Sequence, residues 1–375
     1  MTEFTKKTSS PFRYDIVGSF LRPDYLLKAR EDYKNKDISK SQLEKEENKA
    51  IKDLIKKEED IGLLAITDGE FRRASWHCDF FWGLNGVEET YTDKGSVFNG
   101  DVYNITASLS GKISGENHPF VNHFKFVRDN ASKNVEVKQT IPSPAQLVQE
   151  LRRSINIEKT KKYYNSLEEL VDDTVKAYAT VLKDLKNAGC KVVQFDDCTW
   201  SRLISGKNHD NKEYTKEEFE ELKTLYGDVI NRVIENKPEG LTINTHVCRG
   251  NMKSTYFASG GYEPVANPLL TDLNYNAYYL EYDTERAGGF EVLKNVNENK
   301  YVVLGLVTTK FGKLENKDEL LKRIEEASKY KDPDKLCISP QCGFSSNSFG
   351  NIISEEEQWE KIKLIKEVAK EFWGE

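Results

Sequence analysis

The chain has 375 residues, 38% of them apolar and 31% charged, with a formal net charge of -7. That balance, with a mean hydropathy of -0.67, describes a soluble globular protein with a heavily charged surface and excludes a general affinity for nucleic acid or anionic membrane. The opening MTEFTKKTSSPFRYD lacks an apolar core of signal-peptide length, no stretch approaches membrane-spanning length, and six cysteines make no disulfide framework, so a cytoplasmic enzyme or binding protein is expected.

Short β-branched runs alternate with amphipathic charged segments, the pattern of a parallel sheet with crossover helices. Residues 14–20 (YDIVGSF) make a first strand. Residues 25–60 carry Lys, Glu and Leu at helical spacing and should form two helices broken near Asp37, Ile38 and Ser39. Residues 63–70 make a second strand ending in acids. Residues 85–135 differ, being rich in Gly, Asn, Thr and Tyr with alternating runs such as VYNITASLSG and HFKFV, and read as an inserted pair of β-hairpins.

A third strand over 135–141 is ended by Pro142-Ser143-Pro144. Ser166, three residues before Glu169, caps a helix that Gly189 stops. Further strands are expected over 191–197, 241–248, 277–283, 300–308 and 335–342, with helices over 217–236, 317–330 and 355–372. Eight strand–helix units predict an α/β fold, a (β/α)8 TIM barrel forming a single catalytic domain over 1–375 with the hairpins inserted after strand two.

Ser19, Glu70, Asp196, His246, Cys248, Glu281 and Cys342 all fall at C-terminal ends of these strands, the face on which such barrels build active sites. Positions two apart on a strand share a face. The strand ending in His246-Val247-Cys248 therefore sends an imidazole and a thiol out of one end, both ligand types that zinc prefers. In isolation that pair reads first as packing. Cys342 ends strand eight before a glycine that lets backbone or substrate approach, and Glu281 ends strand six, so four candidate ligands meet at one barrel mouth. Cys190 and Cys337 lie at strand starts, at the far end of the barrel; Cys78 and Cys198 read as packing residues.

The ordered set VGSF (17–20), DGEFRR (68–73), QFDD (194–197), HVCRGN (246–251), LEYD (280–283) and SPQCGF (339–344) resembles the cobalamin-independent methionine synthase family. It is most similar to the short single-barrel members, which match the C-terminal catalytic half of the two-barrel enzyme. The resemblance implies a Zn2+ ion held by His246, Cys248, Glu281 and Cys342. That ion would activate a thiol, most simply homocysteine, for methylation to methionine by a methyltetrahydrofolate-type donor. It also implies that Gly18, Ser19, Glu70 and Asp196 bind the amino-acid substrate, with Asp196 and Glu281 as catalytic residues. Charge logic agrees: zinc with two thiolates and one carboxylate carries a formal charge near -1. Glu281, the hardest ligand, is therefore expected to loosen as a substrate sulfur arrives.

Glu70 and Asp196 suit an ammonium group through charge-assisted hydrogen bonds; the other reading pairs them with Arg72, Arg73 or Arg202. Gly18 and Ser19 offer backbone N–H and a hydroxyl to a carboxylate. Asp197 is expected behind the site or beside the donor. The aromatics Phe71, Trp76, Phe80, Phe81 and Trp82 could stack a flat donor ring, but most aromatics pack, so seating the insert is the favoured expectation.

The full-length family has His-Ser-Pro after the seventh strand. This chain has Leu306-Val307-Thr308-Thr309-Lys310 there, and neither Val307 nor Thr308 replaces an imidazole in proton transfer. Either His77 or His118 supplies that proton, or the zinc-thiol enzyme uses another donor or acceptor, such as a methylated corrinoid or a methylthio metabolite. A non-catalytic zinc barrel that binds a thiol is the reading from another class. On each reading the partners are small molecules, with no nucleic acid or membrane, and a homo-oligomer is compatible.

Overall fold

The structure, a computed structural model, describes residues 4–98 and 101–375. Helices Asp24–Lys34 and Lys40–Ile61 come first. They break where expected because Ser39 accepts from the Gln42 N–H while the Gln42 side chain returns to the Ser39 N–H, a reciprocal cap. Then follow β1 (Ala65–Ile66), the antiparallel pair β2 (Asn85–Phe98) and β3 (Asp101–Ser114), and β4 (Glu136–Pro142). The remaining strands are β5 (Val192–Asp197), β6 (Thr242–Val247), β7 (Ala277–Glu281), β8 (Tyr301–Val307) and β9 (Leu336–Pro340). Among the described residues β1 and β4 to β9 form one parallel sheet in that order. No helix among them is long and apolar enough to cross a membrane.

The segment expected as the first strand forms no regular ladder, yet it closes the sheet. Tyr14 bridges Ile338 of β9, and Ser19 bridges Gly69 just beyond β1, both in parallel sense. Between these bridges the backbone is satisfied by side chains. The Ile16 N–H donates to Asp15 (2.7 Å), Gln194 donates to the Val17 carbonyl (2.7 Å), and the Thr67 hydroxyl donates to the Gly18 carbonyl (2.6 Å). Lys138 reaches the Ile16 carbonyl and pairs with Asp15 at 2.9 Å, both side chains fully buried. Side chains standing in for ladder partners meet the backbone requirement but leave isolated bridges. The result is a (β/α)8 barrel with seven laddered strands and one stitched-in segment.

Alternation along the strands divides the core in two. Val17, Ala277, Tyr279, Val303 and Cys337 form a small buried cluster apart from the main core of helix and outer-strand residues. Cys337 therefore packs at the far end of the barrel, as expected, and Cys190 is buried at the start of β5.

The insert contains a single hairpin, where the residue pattern suggests a pair. Its second half is a helix, Pro119–Asn130, although the alternation in HFKFV favours strand. Pro119 sits at the first helical turn and the His118 side chain accepts from the Phe120 N–H. Phe120, Phe124 and Val127 are buried on one face, a helical spacing that the local alternation conceals. Positions 99 and 100 lie outside the described residues. The base of the hairpin is bound to the barrel mouth: Trp82 Nε1 donates to the Thr106 carbonyl (3.0 Å), and the Thr106 hydroxyl donates to Glu150.

Candidate active site

Parallel register carries the site. Asp196 of β5 is the lateral neighbour of His246 of β6, and His246 the neighbour of Tyr279 of β7, two residues before Glu281. Cys248 lies just past β6, its N–H still donating to the Asp197 carbonyl (2.9 Å). Cys342 follows β9 by two residues. The ligand atoms of His246, Cys248, Glu281 and Cys342 all lie within 4.8 Å of one another, and all four residues are buried.

The two sulfurs, Cys248 Sγ and Cys342 Sγ, are 3.6 Å apart. Zinc–sulfur bonds of about 2.3 Å at a tetrahedral angle place two thiolates about 3.8 Å apart, so the spacing fits a shared dication. The Cys198 thiol beside Cys248 raises the Cys248 pKa well above its ordinary value, with burial adding to it. The Cys342 thiol is raised by Cys248 and by burial. Two thiolates repel in such a place unless a cation stands between them. Neither ring nitrogen of His246 has a hydrogen-bond partner of good geometry among the described residues, although the ring is buried. A buried imidazole beside two thiols and a carboxylate has the chemistry of a ligand.

Glu281 is the best-held of the four. Its Oε1 accepts from the Arg249 N–H (2.7 Å) and its Oε2 from Arg286 (2.7 Å), which also pairs with Asp283 at 2.9 Å. Burial would raise its pKa, but Lys310, Arg286 and His246 outweigh that and hold the carboxyl below its ordinary range. The Gly250 N–H donates to Cys248 Sγ (3.4 Å). Gly250 has φ +96°, and a Cβ there would meet the Phe257 ring at 2.5 Å, so this turn requires glycine. Gly343 allows close approach: a Cβ there would lie 1.9 Å from Ser19 Oγ.

A cavity opens beside His246, Cys248 and Cys342, and Glu281 is not among its lining residues. Val17, Ser19, Glu70 and Asp196 line its inner end; Gly18 does not, and its carbonyl is taken by Thr67. Glu70 is not at a strand end. It sits on a turn with φ +61°, where Thr67 Oγ1 accepts the Gly69 N–H and Asp68 Oδ1 accepts the Glu70 N–H. A left-handed non-glycine residue costs about 1 kcal/mol or more and collects at functional sites. The two acids differ in their partners. Glu70 pairs with Arg73 at 3.2 Å and accepts from Thr140 (2.8 Å). Asp196 has no cationic partner among the described residues; it accepts from Gln194 at 2.7 Å. Burial raises the Asp196 carboxyl well above its ordinary pKa, and the Glu70 charge adds to it; burial raises Glu70 too.

Other expectations separate cleanly. Asp197 faces away from the cavity and accepts from the Thr199 N–H (2.7 Å) and hydroxyl (2.6 Å), starting a short helix. Phe80, Phe81 and Trp82 seat the insert, Phe80 meeting Phe120 edge-on and Tyr178 at a tilt; only Trp76 of that aromatic group lines the cavity. His118 is a helix cap bonded to the Phe80 carbonyl (2.9 Å) and lies outside the cavity. His77 does line it, but burial, with Arg153, pushes its pKa to about 3, so at neutral pH the ring has no acidic proton of the imidazolium kind. Cys198, expected as packing, instead lines the cavity. Asn251 and Asn347 line it as well, and Arg286 partners Glu281, none of them singled out by residue type alone. HVCRGN already contains Asn251, whose amide donates to the Gly343 carbonyl (2.6 Å).

The family model for the catalytic domain of cobalamin-independent synthases matches residues 14–371. This chain belongs to the cobalamin-independent methionine synthase family. As a member of that family it is a methyltransferase. It is 37% identical over 370 residues to the uncharacterized protein YxjH of Bacillus subtilis, covering 98% of this chain and 96% of that protein. A Listeria monocytogenes structure provisionally described as a vitamin-B12-independent methionine synthase superposes with a TM-score of 0.78 at 34% identity, over 98% of this chain and 100% of that one. A B12-independent methionine synthase from Shewanella sp. W3-18-1, solved with selenomethionine, shares the fold at 19% identity and a TM-score of 0.72, over 96% of each chain. The family membership therefore rests on the catalytic barrel and extends over nearly the whole chain.

Proposed function

We propose that this chain is a zinc-dependent methyltransferase whose acceptor is an amino-acid thiol of the homocysteine type. The convergence of the four ligand atoms within 4.8 Å, beside a cavity floored by Asp196, carries this reading. The selenomethionine held by the Shewanella relative is chemically akin to the methylated form of such a substrate. His246, Cys248, Glu281 and Cys342 would hold the zinc, and bound there it supplies a lowered thiol pKa at neutral pH.

The chain's own residues do the rest. Glu70 has Arg73 as an ion-pair partner and Asp196 has none among the described residues, and a substrate ammonium would supply the cation that Asp196 lacks. Ser19, whose Oγ accepts from the Ser345 N–H (3.2 Å), presents its own hydroxyl proton to the substrate carboxylate and ties that end to the loop bearing Cys342. Glu281 is suited to exchange because the Arg249 N–H and Arg286 keep both its oxygens satisfied when it is not a ligand. Residues 308–310 bring no imidazole to the mouth, and His77 is held neutral, so a donor whose leaving group needs little protonation is compatible. The test is methionine formation by zinc-loaded protein from homocysteine with methyltetrahydrofolate and, separately, with a methylcorrinoid. Product from either supports the reading. Homocysteine binding without product from any donor would leave a thiol-binding barrel.

A further inference from the structure

The outer wall of the cavity differs from its acidic floor. The helix Thr199–Ile204, just past β5, carries Arg202; the helix Pro144–Arg152, just past β4, is followed at once by Arg153. Both guanidinium groups line the cavity, with His209 between it and a second hollow.

These cations are unequally matched. Arg153 pairs with buried Glu150 at 2.8 Å. Glu150 Oε1 is further occupied by the Thr106 hydroxyl and the Asn156 amide (3.4 Å), so it has little left for another cation. Arg202 has no carboxylate within ion-pair distance among the described residues. Its guanidinium instead lies 4.0 Å from the Phe257 ring centroid. The wall thus holds a guanidinium without a carboxylate partner, as the floor holds a carboxyl without a cationic one. A guanidinium partly withdrawn from solvent without a counter-ion favours an anion beside it.

We propose that Arg202 binds an oxyanion group of the methyl donor, a carboxylate or a phosphate. This rests on the cavity being the methyl-transfer site proposed above. Arg202 offers a planar fork that matches either oxyanion. Trp76, Met252 and Phe257 give an apolar surface for the uncharged part of the donor. Arg153 and His209 line both this cavity and the second hollow, which continues past Arg152 and Tyr214, so an elongated donor has room to extend outward. Burial, then the charges of Arg202 and Arg153, drives the His209 pKa well below its ordinary value, consistent with the three groups facing one another. The His209 Nε2 lies 3.4 Å from Gln149 Oε1, so its ring N–H is taken there and the anion contact falls to Arg202. The same wall repels a sulfonium or quaternary-ammonium methyl donor, because such a cation would stand against Arg202.

The test uses zinc-loaded full-length protein titrated calorimetrically with glutarate and, separately, with inorganic phosphate. Saturable, salt-sensitive binding of at least one is expected, weakened about tenfold or more in Arg202→Gln and less in Arg202→Lys, which keeps the charge but not the fork. Zinc content and homocysteine affinity should stay at wild-type values in both variants. A preference for glutarate or for phosphate names the donor's acidic group. The proposal is overturned if neither anion binds, if Arg202→Gln binds both as the wild type does, or if Arg202→Gln weakens homocysteine rather than the anions. Anion binding at Arg202 in a protein that methylates no thiol would overturn the methyltransferase reading and the word donor, while a methyltransferase indifferent to both anions would overturn only this subsite.

Discussion

Cys248 Sγ and Cys342 Sγ, 94 residues apart in the chain, lie 3.6 Å apart and form no disulfide. That separation follows from barrel geometry: β6 and β9 are not neighbours, but residues just past both strands turn inward over the same axis. With His246 and Glu281 they make a compact set of soft and hard donors.

His246→Ala and Cys342→Ser are each expected to lose stoichiometric zinc while keeping the fold. Elemental analysis of purified protein, with circular dichroism as the control, checks this. One tightly held zinc remaining in both variants would remove these residues from the ligand set.

Asp196→Asn should keep its zinc and raise the KM for the amino-acid thiol about 10- to 100-fold, the loss of one charge-assisted contact to an ammonium. Steady-state kinetics with homocysteine, set beside a thiol lacking the amino group, checks it. The variant should no longer favour homocysteine over that analogue.

Glu58 supplies a pH-dependent stability term away from the site. It is fully buried, accepts from the Thr67 N–H at 3.1 Å, and its Oε2 has no partner among the described residues. Burial raises its pKa well above the ordinary value, against the Thr67 hydrogen bond. The folded state therefore holds the proton more tightly than the unfolded chain, and this contribution is full below the ordinary carboxyl pKa and lost as pH rises through the folded value. Glu58→Gln, which keeps the acceptor oxygen, should raise Tm at about pH 8 and change it little at about pH 4. Scanning calorimetry at the two values checks the sign.

Lys138→Met probes the stitched-in first segment. It would leave Asp15 charged and buried without its partner and free the Ile16 carbonyl. Breaking one side of a buried pair costs about 3–5 kcal/mol. Denaturant unfolding should show a lower midpoint with an unchanged m value, whereas a loss under about 1 kcal/mol would mean the closure does not depend on this pair.

The strand-end positions of Asp196 and Glu281, the His-x-Cys pair, the helix break near Ser39 and the cap at Ser166 are legible in the chain because they are local signals. Periodicity two, periodicity 3.6 and side-chain hydrogen bonds to nearby backbone set them. The helix Pro119–Asn130 is hidden because HFKFV alternates over five residues, while its helical face shows only when Phe120, Phe124 and Val127 are seen against a core. Cys198 is hidden in another way: nothing in QFDDC distinguishes a thiol at a cavity wall from one in a core. By residue type Arg202 could pair with the acids, but the closed barrel sets it against the Phe257 ring with no carboxylate within ion-pair distance among the described residues.

The strand–helix alternation, the residues at the strand ends and the kinds of ligand available all depend on neighbours a few residues away, so the chain's own order settles them. Which of those groups share charge is a property of the closed barrel alone. Glu70 is paired with Arg73 and Arg153 with Glu150, while among the described residues Asp196 has no cation and Arg202 no carboxylate within ion-pair distance. Electrostatic pairing depends on distances of a few ångströms between groups far apart in the chain, and those distances exist only once the barrel has closed.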